Sequence, residues 1–297
     1  QNLRADMIDK VQVFDKKSDQ AAFTGIDDGE KNKTINLQLK ENKKKGYFGK
    51  LEAGGGSDGF YHNQFMFNLF KKKLKFSGYG IISNIGTIGL NWRDNNSYGQ
   101  SFASGADYDE TNGYFTLSGN GDELDSWNGQ YNGQGLPVVK TGGLHFNNKW
   151  NQDKQSLNLN YKILDLDVTG EKANRSQYLL PDTSYFKNQT EDFHNRIVRN
   201  KATGIYEFNL DSSSSIKINM DANKDHKTTE SDFYSEYLAE DSSMVNRNKR
   251  VTTTTGDVEN LNTNLIWRKR FLKKGRTLSF NFREHYQKST SEGYLNS

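Results

Sequence analysis

The chain has 297 residues, of which only 33% are hydrophobic, whereas a soluble domain of this length is normally close to half apolar. Its net charge of +3, from 40 basic and 37 acidic residues, is too small for charge-driven disorder and argues against a nucleic-acid-binding face. No apolar run approaches the about 18 residues of a membrane helix, and a glycine-rich, aromatic-rich chain of this kind suits a water-filled β-barrel.

The first 45 residues contain two short strand-like segments around an acidic turn. Residues 11–14 favour β-structure, and residues 34–39 alternate between apolar and polar side chains. A short helix is predicted before them, over residues 3–10. After the lysines at 43–45 the chain changes character, and residues 46–54 begin a series of longer strands.

Two stretches in this region resemble a known family. The segment IDKVQVFDKKSDQAAFTGIDDGEKNKTINLQLK, followed by KKKGYFGKLEAGGG, is similar to the plug-to-barrel junction of TonB-dependent receptor-like outer-membrane β-barrel proteins of Bacteroidota. The resemblance implies that residues 1–45 are the C-terminal part of a plug domain. It implies that residues 46–297 are the N-terminal part of a transmembrane antiparallel β-barrel, roughly nine strands of a barrel with about 22. The implied location is the cell outer membrane.

Alternating segments occur in pairs along the rest of the chain. Short polar turns join the members of each pair, at residues 71–73, 151–154, 212–215 and 273–275. Because successive strand residues point to opposite sides, each segment has one apolar and one polar face. The pattern predicts that the apolar set faces lipid and the polar set faces a wet interior: Phe76, Leu159, Phe208 and Phe280 in the first set, and Asn160, Asn209 and Asn281 in the second.

Three long polar segments separate these pairs and are predicted to be extracellular loops, at residues 84–140, 167–192 and 223–256. Short turns at one end and long loops at the other are typical of an outer-membrane barrel, and a periplasmic plug would place every short turn on the periplasmic side. Aromatic residues of the first segment are the candidates for ligand contact: Trp92, Tyr98, Tyr108, Trp127 and Tyr131. Packing within the loop would explain them equally well.

No motif points to an enzyme, a cofactor or a metal. The five histidines have no metal-ligand spacing, and no G-x-S-x-G turn is present. Acidic residues at 27–28 and 122–125 have the oxygen ligands that calcium prefers, but neither group matches an EF-hand loop, and both are better explained as solvated loop acids. We therefore predict no catalytic residue, no cofactor and no metal site.

The resemblance implies import of a nutrient ligand, such as a siderophore, glycan or peptide, with energy supplied through TonB. The expected partners are outer-membrane lipid and lipopolysaccharide, TonB, and a SusD-like surface lipoprotein or a larger outer-membrane complex, with no nucleic acid. One alternative is a structural barrel subunit of a Bacteroidota complex for protein secretion or barrel assembly. Another is a soluble β-sandwich adhesin, whose strands would be shorter, about 5–6 residues.

Overall fold

Most of the structure is β-sheet. The computed structural model describes residues 8–17, 29, 31–39, 45–91, 94, 106–109, 114–117, 129–181, 184–273 and 275–297. None of the helical segments in these ranges is long and apolar enough to cross a membrane. The all-β class predicted from the sequence is confirmed.

The described residues form thirteen strands. The first seven are β1 (Ile8–Lys17), β2 (Lys31–Leu39), β3 (Lys45–Gly55), β4 (Tyr61–Lys71), β5 (Leu74–Ser83), β6 (Ala106–Asp109) and β7 (Tyr114–Leu117). The remaining six are β8 (Leu136–Trp150), β9 (Gln155–Leu179), β10 (Ser184–Asp211), β11 (Ser214–Ala239), β12 (Met244–Arg270) and β13 (Thr277–Asn296).

Nine of these strands form one sheet, in the order β13-β12-β11-β10-β9-β8-β5-β4-β3, and every neighbouring pair is antiparallel. The order follows the chain except between β5 and β8, because β6 and β7 pair separately with each other. The predicted number of about nine antiparallel strands is thus confirmed. Within the described residues the sheet is open, with β3 and β13 at its edges.

The two strands predicted near the N-terminus are present and pair with each other as β1 and β2. Val11 lies opposite Leu37, and Val13 lies opposite Ile35, so the apolar positions of the two strands coincide. Because β1 already begins at Ile8, the end of the predicted helix over residues 3–10 is strand, and its beginning lies outside the described residues. Pairing with β2 overrides the weak local preference for helix there.

Two of the predicted loops are largely strand instead. β9 extends to Leu179 and β10 begins at Ser184, so most of residues 167–192 belongs to a hairpin. β11 and β12 likewise occupy most of residues 223–256 and leave only 240–243 between them. The sequence prediction depended on apolar alternation, whereas these segments are polar on both faces and are stabilised by cross-strand polar pairs.

The short turns lie where the sequence predicted them. Between β8 and β9, residues 151–153 all have positive φ, which asparagine and aspartate tolerate better than most residues. Between β10 and β11 the Asp211 carboxylate accepts hydrogen bonds from the Ser213 backbone N–H at 2.6 Å and from the Ser213 hydroxyl at 2.7 Å. These bonds, the hydroxyl bond first, lower the pKa of Asp211 to about 2. The turn is therefore held by a carboxylate that stays ionised at neutral pH.

Strand register divides the large sheet into two faces, which we name after one residue each. The leucine face carries Leu159, and the asparagine face carries Asn160. Cross-strand pairing places Phe76, Phe146 and Leu159 in one row, and Phe208, Ile216, Trp267 and Phe280 in another row of the leucine face. Asn160, Asn209 and Asn281 all lie on the asparagine face. The predicted alternation is confirmed, and lipid contact stays a prediction.

The buried core lies on the asparagine face. The buried apolar side chains of the strands all belong to this face: Met66, Tyr79, Ile81, Val139, Leu164, Leu166, Val168, Phe193 and Ile266. Ile88 packs against the cluster around Leu166, and Leu90 packs against the cluster around Ile81. Part of the long segment between β5 and β8 therefore folds over the asparagine face and covers the region of these two clusters.

Candidate functional site

The leucine face carries an exposed apolar band next to the short turns. It covers residues 157–163 of β9, 202–208 of β10, 216–222 of β11, 261–267 of β12 and 280–286 of β13. Glu284, on the edge strand, is the only charged residue on the leucine face within these stretches. Each stretch has seven residues, or about 23 Å at about 3.3 Å per residue.

Large side chains in this band are exposed where a soluble sheet would bury them. Leu159 is 39% exposed, Phe280 is 55% exposed and Phe282 is 50% exposed. Aromatic rings cluster near the short turns, where Trp150 and Tyr206 lie with ring centroids 6.4 Å apart. A continuous exposed apolar surface of this kind marks a site of contact with another apolar phase.

On the side of the band that is farther from the short turns, the leucine face carries charged residues. Lys224 donates to Glu259 at 2.6 Å, and the Arg196 guanidinium donates two hydrogen bonds to Asp165, each at 3.0 Å. Further pairs join neighbouring strands on the same face, among them His226–Asp257 at 2.9 Å. These pairs give the polar parts of β9–β12 the cross-strand contacts that apolar side chains provide within the band.

His194 lies between two carboxylates in this polar region. Its ring nitrogens are 3.0 Å from Asp167 and 3.6 Å from Glu230. The hydrogen bond to Asp167 raises the pKa of His194 above its ordinary value of 6.5, against slight burial and with help from both negative charges. The contact with Asp167 therefore favours the protonated, ion-paired form of His194.

We expect a histidine-dependent loss of stability as the pH rises. Because the pKa is higher in the folded chain, the stabilisation is complete below about pH 6.5 and is lost as the pH rises through the folded value. Urea unfolding at a series of pH values should show this slope in the wild type and lose it in His194→Gln. A slope that persists in His194→Gln would assign the pH dependence to another group.

The asparagine face opposite the band is polar and contains a buried ion pair. Arg199 donates to Asp225 through Nε at 2.9 Å and through a terminal nitrogen at 2.6 Å. The two side chains are only 12% and 5% exposed, so this pair is far more protected than Arg196–Asp165 on the other face. Asn160 Oδ1 lies 2.6 Å from His145 Nδ1 on the same face.

Only two of the five predicted ligand-contact residues, Tyr108 and Tyr131, lie within the described part of the chain. Trp92, Tyr98 and Trp127 lie outside the described residues, and Tyr108 lies in β6. Tyr131 packs against the buried cluster that contains Ile88, and its hydroxyl donates to the carbonyl of Gln134 at 3.0 Å. Tyr131 therefore has a packing role on the asparagine face.

A row of aromatic and basic residues that sequence reasoning missed lies near the tips of the long hairpins. The Tyr178 and Tyr185 rings are stacked, with centroids 4.6 Å apart and an angle of 11° between the planes. Tyr237 lies 6.0 Å from Tyr185, and the Lys187 ammonium is 5.4 Å from the Tyr237 ring. These residues fall in segments predicted as loops, where no strand period could bring them together.

Among the described residues, no three histidine, cysteine, aspartate or glutamate side chains are grouped to hold an ion. The acidic residues at 27–28 and 122–125 lie outside the described ranges.

No protein-family model matches this chain, and a search of curated proteins finds no match either. The fold and the site define a class only: an all-β protein whose main unit is a nine-stranded antiparallel sheet with an exposed apolar band on one face.

Proposed function

We propose that this chain forms part of an outer-membrane β-barrel of the TonB-dependent receptor type, which imports a nutrient ligand. The observation that carries the proposal is the apolar band of the leucine face. Its length of about 23 Å along the strands corresponds to a height of about 16–19 Å at a strand tilt of about 35–45°, or about two thirds to three quarters of the about 25 Å lipid-facing band of outer-membrane barrels. Contact with lipid would shield exposed side chains such as Phe280 and Leu159 from water.

The asparagine face supports the same proposal. In a barrel this face surrounds the interior, where amide and charged side chains can remain hydrated. The segment around Ile88 and Leu90, which covers part of this face, would then narrow the passage from inside. The unpaired edges of β3 and β13 would need neighbouring strands in lipid, because backbone groups cannot remain unpaired there.

A structural subunit of an outer-membrane complex is the second candidate function. The length of the strands favours it, because β9 to β12 have 25 to 28 residues, whereas about 9–11 suffice to cross the membrane. The polar parts of these hairpins would project well beyond lipid and present a large surface to partner proteins. Co-purification separates the two candidates: recovery with TonB favours import, and recovery only within a secretion or assembly complex favours the scaffold.

Cysteine labelling tests the membrane topology directly, because the chain has no native cysteine. Ser212 lies in the turn between β10 and β11, and Ser242 lies at the opposite end, between β11 and β12. On intact cells, a membrane-impermeant maleimide is expected to label Ser242→Cys and to leave Ser212→Cys unlabelled. Labelling of Ser212→Cys alone would invert the orientation, and equal labelling of both would contradict membrane insertion.

A further inference from the structure

The distal part of the asparagine face has a chemistry of its own. We use distal platform for the region between Phe193 and the hairpin tips: residues 170–178, 185–193, 231–237 and 246–252 on that face. Three aromatic rings lie at its outer end, those of Tyr178, Tyr185 and Tyr237. A fourth ring lies below them, that of Phe233, at 5.0 Å from Arg250. The Phe193 ring, 4.7 Å from Lys172, is buried and marks the lower limit of the platform.

Amide and hydroxyl side chains separate these aromatic rows. The register places Asn174, Gln189, Ser235 and Asn248 side by side across the four strands. Ser235 is buried, so the three amides are the accessible groups of this row. From Tyr185 to Glu191, which lies opposite Phe233, the surface therefore alternates flat rings with hydrogen-bonding groups over about 20 Å, a distance of six residue steps along β10. Aromatic surfaces combined with a few placed polar groups are the usual lining of ligand sites.

Charge distinguishes the two faces of the same hairpins. The distal platform carries three basic side chains, Lys172, Lys187 and Arg250, and one carboxylate, Glu191. Over the same stretch the leucine face carries four carboxylates, from Glu171, Asp192, Asp232 and Glu236, and three basic side chains, from Arg175, Arg247 and Lys249. The excess of positive charge is confined to the face that has the aromatic rows.

We propose that the distal platform binds an acidic oligosaccharide. The apolar C–H face of a sugar ring stacks on the tyrosines, its hydroxyls bond to the amide row, and its carboxylates or sulfates face Lys187 and Arg250. The proposal rests on the proposed function in one respect, since it assigns a ligand class to the water-accessible side of the barrel.

The pairing of the strands favours a sugar over a peptide. A peptide bound by strand addition needs a free backbone edge. Tyr185 and Tyr237 lie on β10 and β11, both of which are paired with neighbours on both sides at these positions. Among the described strands, β9 beyond Thr169 and β12 before Val251 have a free edge at this level. Strand addition would therefore place a peptide beside β9 or β12 and leave the rings of Tyr185 and Tyr237 without contact. A flat ligand stacked on the face uses all of them.

Binding measurements on the full chain in detergent, by calorimetry, test the proposal with four probes. Two are acidic, an oligogalacturonate and a heparin-derived tetrasaccharide; maltohexaose is neutral, and hexaglutamate is an acidic peptide. We expect at least one acidic saccharide to bind, with an affinity that falls as salt rises. Binding of hexaglutamate or maltohexaose in preference to both acidic saccharides would overturn the proposal. A failure of both acidic saccharides to bind would also overturn it.

Adjacent residues provide matched controls, because they point to opposite faces. Arg250→Gln and Tyr185→Ala should each weaken binding about tenfold, whereas Lys249→Gln and Phe186→Ala should leave it within about twofold. Tyr185→Phe keeps the ring and should retain binding. Equal losses in platform and control variants would overturn the assignment. Insertion into bilayers is measured separately, so a failure of binding in a chain that still inserts rejects the platform alone.

Discussion

Leu159→Arg is expected to destabilise the protein in a bilayer by about 2–4 kcal/mol. Leu159 lies in the middle of the apolar band, and its side chain extends over Gly204, where an added Cβ would come within 2.8 Å of it. An arginine at this position would bring a charge into the hydrocarbon core if the band faces lipid. Folding into lipid vesicles, followed by urea titration, measures the loss.

Ile205→Arg is the matched control for this substitution. Ile205 is 40% exposed and Leu159 is 39% exposed, but Ile205 lies on the asparagine face. We expect Ile205→Arg to be nearly neutral, because in the proposed barrel this face lines a hydrated interior. Asn160 is a poorer control, since its Oδ1 is engaged with His145. A soluble sheet would respond alike to the two arginines, and that result would refute a lipid-facing band.

Asp225→Asn is expected to lower the free energy of unfolding by about 3–5 kcal/mol. The substitution removes the carboxylate to which the buried, charged Arg199 donates two hydrogen bonds. Denaturant titration of the refolded protein gives the loss. Asp165→Asn is the control on the leucine face, where Arg196 is 53% exposed and water replaces the lost partner. Comparable losses in the two variants would mean that burial does not set the strength of these pairs.

The two predictions concern opposite faces of the same three strands, β9, β10 and β11. The two faces differ in how far they could be predicted from the sequence. Leu159 and Asn160 could be assigned to faces from alternation alone, because near the short turns every second residue is apolar. Arg199 and Asp225 could not be paired that way. Both lie in or beside segments whose two faces are polar, and a period-2 pattern carries no signal where both sets are hydrophilic.

The candidate ligand site shows the same limit. Aromatic density drew attention to residues 84–140, but of the five candidates only Tyr131 has a described side-chain environment, and it is packed against a buried cluster. The aromatic rows of the distal platform come from three strands separated by many residues. Only the register of β9, β10 and β11 brings Tyr178, Tyr185 and Tyr237 together.

The sequence by itself determined the all-β class, the short turns, the approximate number of strands and the division of the band into an apolar and a polar face. These properties are local, since they depend on alternation and on turn residues within a few positions of one another. Tertiary structure alone decided how far the hairpins extend, which charges pair, and that the segment around Ile88 covers the asparagine face. Each of these depends on contacts between residues far apart in the chain, and such contacts form only when strand pairing sets one register.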